Sequence, residues 1–381
     1  MSKQKKVLLL TDGIFPYQPG GMQKHSYYLA KYLLKAGYFV ELVHCVEANK
    51  SFPTKKEVLN LLEHDDESTF SINTLHFPTS IHFPGHYLYN SFRYSNLIYK
   101  TYKETLDTFS VIYCQGFSGW KLINQTKNST LKAKIISNFH GLEMFQLQAN
   151  TKSRLQASLL RFFVKKILKK SPFIHSLGGN LTTILTEKIG IPLSKIISVP
   201  IGIEQKWLRE NSKKENNDAI NFCFIGRNER RKGFPELMES ITHISQANSN
   251  FHFHIIGPFP KSTNHLITYH GQLNNEQDIM NIMDQCDVLI LPSYAEGMPT
   301  VILEAMSRGC AIAATDVGAV CEQVSDENGW LFLPANKAAL DSCLQTILNT
   351  TKNEILLKGQ NSIHAIQRKF LWDSLINKIV E

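Results

Sequence analysis

Short apolar runs of strand length alternate with longer amphipathic segments through most of the chain. The first run covers residues 6–11, and it is followed by a segment with apolar residues at helical spacing, Met22 to Ala36. Further runs cover 107–116, 134–139, 219–226, 251–257 and 287–291. Continuous apolar strands separated by helices are typical of parallel sheets that are covered on both faces. The pattern therefore predicts an α/β protein.

The length predicts two domains rather than one. A chain of 381 residues is too long for a single hydrophobic core. Residues 205–218, QKWLRENSKKENND, are polar and charged, which favours a linker. We therefore predict a first domain over 1–204 and a second domain that begins at residue 219.

Residues 287–309 form the most informative stretch of the sequence. The apolar run ends at Pro292, and Pro299 suits the first position of a helix that Gly309 would end. Such a helix opens at the carboxyl end of a parallel strand, where unpaired amides and the helix dipole favour an anion, most often a phosphate. The amides around 298–300 are therefore candidates for binding phosphate.

Two glutamates flank the start of this predicted helix. Glu296 precedes it, and Glu304 lies five residues into it, roughly 7–8 Å along the axis. At that depth Glu304 could accept hydrogen bonds from ribose hydroxyls while a pyrophosphate occupies the helix tip. Glu296 would then lie beside the group that the pyrophosphate carries. The alternative is that both are solvated carboxylates near a turn.

Two glycine-containing loops end other predicted strands. Gly20-Gly21 opens the helix from Met22, although the G-x-G-x-x-G spacing of a dinucleotide fold is absent and a plain tight turn is the alternative. Gly226-Arg227 ends a strand, and Lys232 follows shortly after. Two cations facing the tip at 298–300 would bind a pyrophosphate between them. The intervening Arg230 and Arg231 are interpreted as solvated.

Three further segments carry weaker signals. His140 comes directly after a strand, a position that suits a ligand crevice, although a structural histidine is the alternative. Residues 76–100 are rich in Phe, Tyr and His between prolines; we favour a structural loop over a loop that contacts an acceptor. Residues 151–170 form a basic amphipathic helix, with Arg154 to Lys170 carrying most of the charge. That helix either packs on the first domain or lies on anionic lipid.

The segment from Glu296 to Met306 resembles the E-x7-E signature of retaining glycosyltransferases of family four, which have the GT-B fold. The resemblance extends over nearly the whole chain. It implies an α/β GT-B architecture of two Rossmann-like domains whose parallel sheets face each other across a cleft. The second domain would then cover 219–365. A C-terminal helix, about 366–381, would cross back to the first domain.

The resemblance also implies roles for individual residues. Glu296, His140, Arg227 and Lys232 are the expected catalytic residues. Residues expected to bind the donor are Gly21, Gly226, Arg227, Lys232, Gly257, Glu296, Gly297, Met298, Pro299, Thr300 and Glu304. The sequence departs from the family at Gly318-Ala319-Val320, where Gly-Gly-x-Pro-Glu is usual, so the shape of that loop is not predicted.

The reaction implied is sugar transfer from a nucleotide diphosphate to a glycan, lipid-linked or other hydroxyl acceptor, with retention of anomeric configuration. UDP-hexose or UDP-N-acetylhexosamine is the favoured donor and GDP-mannose the next. No Asp-x-Asp pair is present, so no metal and no cofactor are expected. A nucleotide-sugar epimerase or hydrolase of the same architecture and a non-catalytic nucleotide-sugar-binding subunit remain as alternatives.

The composition bears on the binding partners and the cellular location of the protein. The net charge is +8 and the pI is about 9.0. This positive charge fits an anionic ligand, or an anionic membrane surface that helix 154–170 would contact. No nucleic acid is expected as a partner. Seven scattered cysteines favour a reducing compartment. No secretory leader or membrane span is evident. We therefore expect a cytoplasmic protein, or one peripheral on the inner face of a membrane.

Overall fold

The computed structural model describes residues 4–18, 20–46, 51–80, 83–125, 131–209 and 219–381. Within these ranges, each half of the chain forms one parallel sheet flanked by helices. The first sheet has the strand order β3-β2-β1-β4-β5-β6-β7. Its strands are β1 (Lys6–Leu10), β2 (Phe39–Val46), β3 (Phe70–His76), β4 (Val111–Gln115), β5 (Lys134–Asn138), β6 (Phe173–Ser176) and β7 (Ile196–Ser198).

The helices of the first half lie between these strands. They are α1 (Gly21–Lys35), α2 (Lys55–Leu61), α3 (His86–Tyr102), α4 (Trp120–Gln125), α5 (Thr151–Lys170) and α6 (Gly179–Thr183). A π-helical turn, Ile184–Ile189, continues α6.

The second sheet has the order β10-β9-β8-β11-β12-β13. Its strands are β8 (Ile220–Ile225), β9 (Phe251–Ile256), β10 (Ile267–Gly271), β11 (Val288–Leu291), β12 (Ala311–Thr315) and β13 (Gly329–Phe332). The accompanying helices are α7 (Phe234–Ile244), α8 (Glu276–Gln285), α9 (Thr300–Ser307), α10 (Val320–Gln323), α11 (Lys337–Asn349), α12 (Lys352–Lys369) and α13 (Trp372–Val380). The predicted α/β architecture with two parallel sheets is confirmed.

Both sheets are buried on their two faces, which explains why their strands are continuously apolar. Side chains 7–10 of β1 and 288–290 of β11 have no exposed surface. In the second sheet Phe222 and Phe253 stack on neighbouring strands with ring centroids 4.7 Å apart. In each sheet the strand order reverses at a central pair, β1/β4 and β8/β11. Ligand crevices of open parallel sheets lie at the carboxyl ends of such pairs.

The chain passes twice between the two halves. The first passage follows Ile203, and the second leads from α12 to Leu371, which forms a parallel bridge with Ile203. Helix α13 then packs against α1, where Trp372 stacks on Tyr28 with centroids 5.8 Å apart. A Cβ built at Gly202 would lie 2.7 Å from the indole of Trp372, so only glycine fits there.

Of the predicted linker, residues 205–209 are described, whereas 210–218 lie outside the described residues. Trp207 is buried, and the Arg209 amide donates to the Ser307 carbonyl at 3.0 Å. One prediction about a loop needs correction. The aromatic stretch is not a loop throughout, because 86–102 form the helix α3. None of the described helices is long and apolar enough to span a bilayer.

Candidate active site

The helix that follows strand β11 of the second sheet begins at the cleft. Strand β11 ends at Leu291, and α9 begins at Thr300, one residue later than predicted. Pro299 is the N-cap residue in an extended conformation, and no side chain caps this end of the helix. The Ile302 amide donates to the Pro299 carbonyl at 3.2 Å, which leaves the amides of Thr300 and Val301 at the open end of the helix. A helix start with no side-chain cap favours an anion.

Glu296 lies at the centre of a buried polar cluster just before that helix. Only 5% of its surface is exposed. One carboxylate oxygen, Oε1, accepts hydrogen bonds from Lys232 Nζ at 2.6 Å and from Ser293 Oγ at 2.7 Å. The other, Oε2, lies 3.3 Å from Arg231 Nη1. A carboxylate held by two cations and a hydroxyl has a fixed orientation.

The same neighbours control the charge of Glu296. Burial acts to raise its pKa, but the charges of Lys232 and Arg231 and the hydrogen bonds from Lys232 and Ser293 outweigh burial and hold the pKa below its usual value. Glu296 is therefore ionised at neutral pH.

A tight basic turn places these cations. Residues Arg230–Lys232 form a 3-10 turn that ends at Gly233, whose φ is 71°. A Cβ at Gly233 would lie 2.1 Å from the Pro292 carbonyl oxygen, so glycine allows the turn to pack on the end of β11. The packing directs Lys232 and Arg231 toward Glu296.

Arg231 corrects an interpretation made from the sequence. It is not a solvated charge: its side chain is 28% exposed, and Nη1 donates to the Ala295 carbonyl at 3.1 Å as well as contacting Glu296. Arg230, in contrast, forms an ion pair with Glu236 at the surface. Sequence reasoning missed Arg231 because neighbouring basic residues give no sign of which one points inward.

Arg227 does not join the cluster in this structure. Its side chain is 66% exposed, and Nε lies 3.0 Å from a carboxylate oxygen of Glu229. The strand ends around it are close: a Cβ at Gly257 would lie 2.1 Å from the Gly226 carbonyl oxygen. Of the predicted pair of cations, only Lys232 contacts Glu296, and the second cation at Glu296 is Arg231.

Glu304 contacts the first domain. It is buried on α9, and its Oε1 lies 2.9 Å from Nζ of Lys24 on α1. Burial acts to lower the pKa of Lys24, but the charge and hydrogen bond of Glu304 outweigh it and raise the pKa. Lys24 was not predicted, although it follows Gly20-Gly21 by one turn of helix. A Cβ at Gly21 itself would meet nothing within 4 Å, so the start of α1 borders open space.

His140 lies on the other side of the cleft, after β5. Its φ is 48°, and its backbone amide donates to Oδ1 of Asn138 at 2.5 Å. Its ring meets the edge of His25 with centroids 4.6 Å apart, and Nε2 is buried without a partner among the described residues. Burial, with a smaller effect from His175, lowers the pKa of His140 to about 3. The ring is therefore neutral and has one nitrogen available.

The two domains touch directly at the candidate site. The side-chain amide of Gln146 donates to the Glu296 carbonyl at 2.6 Å. A Cβ built at Gly297 would lie 3.0 Å from the Cα of Gly141. Met298 is buried, and its sulfur accepts from the Ile201 amide at 3.1 Å. These contacts close the cleft over Glu296.

The loop that departs from the family pattern also lies here. Gly318 has a φ of 56°, and a Cβ there would lie 2.2 Å from the Glu296 carbonyl oxygen. The Ala319 amide donates to the Gly297 carbonyl at 2.7 Å. Glu322 accepts from the Gly179 amide of the first domain at 2.8 Å. The loop therefore supports the Glu296 backbone and adds a contact between the domains.

Two further carboxyls, both half-buried, belong to the first domain. Asp12 follows β1 and accepts from Gln23 Nε2 at 3.1 Å; burial, opposed by hydrogen bonds, raises its pKa to about 6. Glu143 follows β5, and burial, opposed by a backbone hydrogen bond and the Arg231 charge, raises its pKa. In the described part of the chain, no group of three or more His, Cys, Asp or Glu side chains could hold a metal ion.

This fold and site define a class, the two-domain nucleotide-sugar enzymes of GT-B architecture. The structure of sucrose-phosphate synthase from Thermosynechococcus elongatus matches with a TM-score of 0.77 and 17% identity, covering 99% of this chain and 97% of that one. The Anabaena protein Alr3699/HepE, in complex with UDP-glucose, matches with a TM-score of 0.65 and 14% identity over 98% of each chain. Identities this low show the fold alone.

The family is shown by sequence models that match both domains. Residues 19–207 match the model described as Glycosyltransferase Family 4, and residues 219–350 match the model described as Glycosyl transferases group 1. The chain therefore belongs to the family four glycosyltransferases.

Individual relatives match parts of the chain. TuaC of Bacillus subtilis, named for teichuronic acid biosynthesis, is 31% identical over 156 residues, which is 37% of this chain and 39% of TuaC. The N,N'-diacetylbacillosaminyl-diphospho-undecaprenol alpha-1,3-N-acetylgalactosaminyltransferase of Campylobacter jejuni is 26% identical over 238 residues, 56% of this chain and 61% of that protein. The matches thus span less than two thirds of these relatives.

Proposed function

We propose that the protein transfers a sugar from a nucleotide diphosphate to a hydroxyl acceptor, with retention at the anomeric carbon and without a metal ion. One observation carries the proposal: an ionised, buried Glu296 is fixed by Lys232 and Arg231 directly before the uncapped start of α9. This arrangement combines positive groups for a diphosphate with a carboxylate for the sugar that the diphosphate carries.

The first role of the site is to stabilise the leaving group. As the bond between the sugar C1 and the β-phosphate oxygen breaks, its electron pair stays on that oxygen. Lys232, Arg231 and the α9 amides would stabilise the new charge, and Arg227 at the surface would add to it by turning from Glu229 toward the diphosphate. The acceptor oxygen bonds to C1 on the face that the phosphate leaves, and its proton passes to the departing phosphate. Fixed charges of this kind account for much of enzymatic rate enhancement.

The second role is to position the donor. Glu296 would accept hydrogen bonds from sugar hydroxyls and stabilise positive charge near C1. His140, whose Nε2 is buried without a partner among the described residues, would contact the transferred sugar from the first domain. Glu304 would bind the ribose after releasing Lys24. Gly226 and Gly257, at the ends of β8 and β9, would allow the nucleotide to approach the backbone, and Gly21 would do so from α1.

The choice of donor and acceptor is part of the proposal. UDP-hexose or UDP-N-acetylhexosamine is favoured, since a structural neighbour was solved with UDP-glucose, and GDP-mannose comes next. A glycan or a lipid-linked glycan is the proposed acceptor, since the Campylobacter relative is named for a diphospho-undecaprenol substrate. We propose a cytoplasmic location, with domains over 1–204, including the helix from about 366, and over 219–365.

A thermal-shift panel of nucleoside diphosphates and UDP- and GDP-sugars, with and without EDTA, tests the donor. The proposal expects a rise in Tm with one base, unaffected by EDTA. Proton NMR of the product then reports the anomeric configuration, and release of free sugar or an epimer without any acceptor would instead identify a hydrolase or epimerase. Binding of a donor without turnover across an acceptor panel would identify a binding subunit.

A further inference from the structure

Helices α3 and α5 form one continuous surface of the first domain. A Cβ at Gly85, the N-cap of α3, would lie 3.9 Å from Cδ2 of Leu159 on α5. Phe92 of α3 and Phe163 of α5 both pack on Trp120, with ring centroids 5.2 and 5.4 Å away. We call the outer side of these two helices the α3/α5 face.

The α3/α5 face exposes large apolar side chains. On α5, Leu155 and Phe162 are 77% and 64% exposed. The exposed apolar residues of the face are Tyr87, Tyr89, Phe92, Leu97, Leu155, Leu159 and Phe162. Single exposed apolar residues are ordinary, but a group on two adjoining helices is typical of an interaction site.

The two helices of the face are strongly basic, and six of their nine cations are exposed, whereas Arg161, Lys165 and Lys170 donate to groups of the protein itself. Neither helix contains an Asp or Glu, and together they carry nine cations: Arg93, Lys100, Lys152, Arg154, Arg161, Lys165, Lys166, Lys169 and Lys170. Since the whole chain has a net charge of only +8, the remaining residues are together net negative. The positive charge of the protein is thus concentrated beside its exposed apolar side chains.

We propose that the α3/α5 face binds an anionic lipid bilayer, with its aromatic and leucine side chains in the headgroup region and its cations against lipid phosphates. Anionic headgroups complement the charge, and the hydrocarbon boundary covers the apolar side chains, whereas a soluble anionic polymer would satisfy only the charge. A helix whose apolar side faces outward between cations is the geometry of an interfacial helix.

The position of the face deepens the proposed function, on which this part rests. Helix α5 begins five residues after Gln146, the residue that contacts Glu296. Tyr87, which is 48% exposed, packs on Phe117 with ring centroids 6.0 Å apart. The face therefore borders the acceptor side of the cleft, and the acceptor class that it favours is a glycan on a membrane-embedded lipid.

Vesicle sedimentation of the full chain tests the proposal, with phosphatidylcholine vesicles that contain or lack phosphatidylglycerol. We expect binding only to the phosphatidylglycerol vesicles. Leu155→Ser combined with Phe162→Ser, and separately Lys152→Glu combined with Arg154→Glu, should each lower the bound fraction about tenfold. Matched controls elsewhere, Leu193→Ser with Leu357→Ser and Arg368→Glu with Lys369→Glu, should bind as the wild type does, because those residues are exposed but lie off the face.

Several outcomes would overturn the proposal. These are equal binding to both kinds of vesicle, equal loss in the control variants, and loss of vesicle binding in competition with soluble polyphosphate at matched charge. The Tm shift with UDP, measured without vesicles, separates this proposal from the donor proposal. If the protein binds UDP but not vesicles, the membrane proposal is wrong and the donor proposal stands. If it binds vesicles but not UDP, the donor proposal is wrong and membrane binding stands.

Discussion

Adjacent arginines in the turn after β8 have opposite surroundings. Arg230 pairs with Glu236 at the surface, whereas Arg231 contacts the buried Glu296 and the Ala295 carbonyl. The 3-10 geometry of the turn separates the directions of neighbouring side chains by about a third of a turn. Function at this site therefore depends on which cation faces inward, and the pair offers an internal comparison.

Replacing Arg231 with Met should lower kcat about a hundredfold or more, because one fixed positive group near the leaving diphosphate is lost. Arg230→Met removes the same charge one residue earlier and should leave kcat within a factor of about two. Steady-state kinetics with the donor found by thermal shift measures both. Equal losses in the two variants would contradict the assignment of Arg231 to the site.

Glu296→Gln keeps the size of the side chain and removes its charge, so kcat should fall about 10² to 10³-fold while the fold persists. Lys232→Met should have a loss of similar size, because Lys232 holds Glu296 and, in the proposed function, would stabilise the diphosphate. Glu239→Gln, an exposed change on α7, serves as the control. Circular dichroism and Tm report folding, and near-normal turnover in a folded Glu296→Gln variant would remove the proposed role.

Asp12 predicts a pH effect on stability. Because its pKa in the folded protein is about 6, above the ordinary 3.8, the folded state holds this proton more tightly than the unfolded state does. Ionisation of Asp12 therefore destabilises the fold as pH rises through this window. Asp12→Asn should raise Tm relative to wild type above about pH 6, and the difference should shrink as pH falls toward 3.8. A difference in Tm that is the same at every pH would contradict this account.

The sequence located some site residues better than others, for a physical reason. Glu296 and Glu304 have a fixed spacing across a strand-to-helix turn, and Lys232 precedes the conformationally required Gly233. Lys24 and Gln146, in contrast, reach the site only because two distant parts of the chain meet. No local pattern encodes a contact between domains, so neither could be predicted.

At the scale of elements, the strands were predicted well because burial on both faces leaves continuous apolar runs. Helix α3 was missed for the opposite reason. Its inward positions recur at helical spacing, but two of them are serines, Ser91 and Ser95. Ser95 can be buried because its hydroxyl oxygen accepts a hydrogen bond from the Lys121 amide at 2.6 Å. Small polar residues on the packed side and aromatic residues on the exposed side concealed the hydrophobic periodicity.

The turn ends of β8 and β9 provide a matched pair for a stability test. Gly257→Ala places a Cβ 2.1 Å from the Gly226 carbonyl oxygen at a φ of 136°, so it should destabilise the protein by about 2 kcal/mol or more. At Gly226 the contacts of a Cβ would be 3.8 to 3.9 Å, so Gly226→Ala should change stability by less than about 1 kcal/mol. Thermal or urea unfolding without ligand gives both values, and the reverse order would contradict the described packing.

At the scale of the whole molecule, polar contacts between the domains hold the cleft closed. The pair of Lys24 with Glu304 is the most buried ion pair across the cleft among the described residues, with side chains 24% and 11% exposed. The Gln146 amide and Glu322 add hydrogen bonds across the cleft. Since a donor would need Glu304 for its ribose, closure in the absence of donor competes with donor binding.

Lys24→Met should shift the unliganded protein toward an open form, because Glu304 then loses its partner across the cleft. Small-angle scattering should show a larger radius of gyration. Lys35→Met removes a lysine from the same helix, but its pair with Asp373 is exposed and contributes at most about 1 kcal/mol, so its scattering should match the wild type. An unchanged radius in both variants would show that the ion pair does not control closure.

The two passages of the chain between the domains adjoin at one point, where Ile203 and Leu371 form a parallel bridge. A body joined to another by a single strand can swivel about it in several directions. Two connections that are paired at one point permit rotation mainly about one axis, which keeps the opposing surfaces in register each time they separate and meet. Repeated cycles of substrate entry and product exit would then return Glu296 to the same partners without a search among alternative orientations.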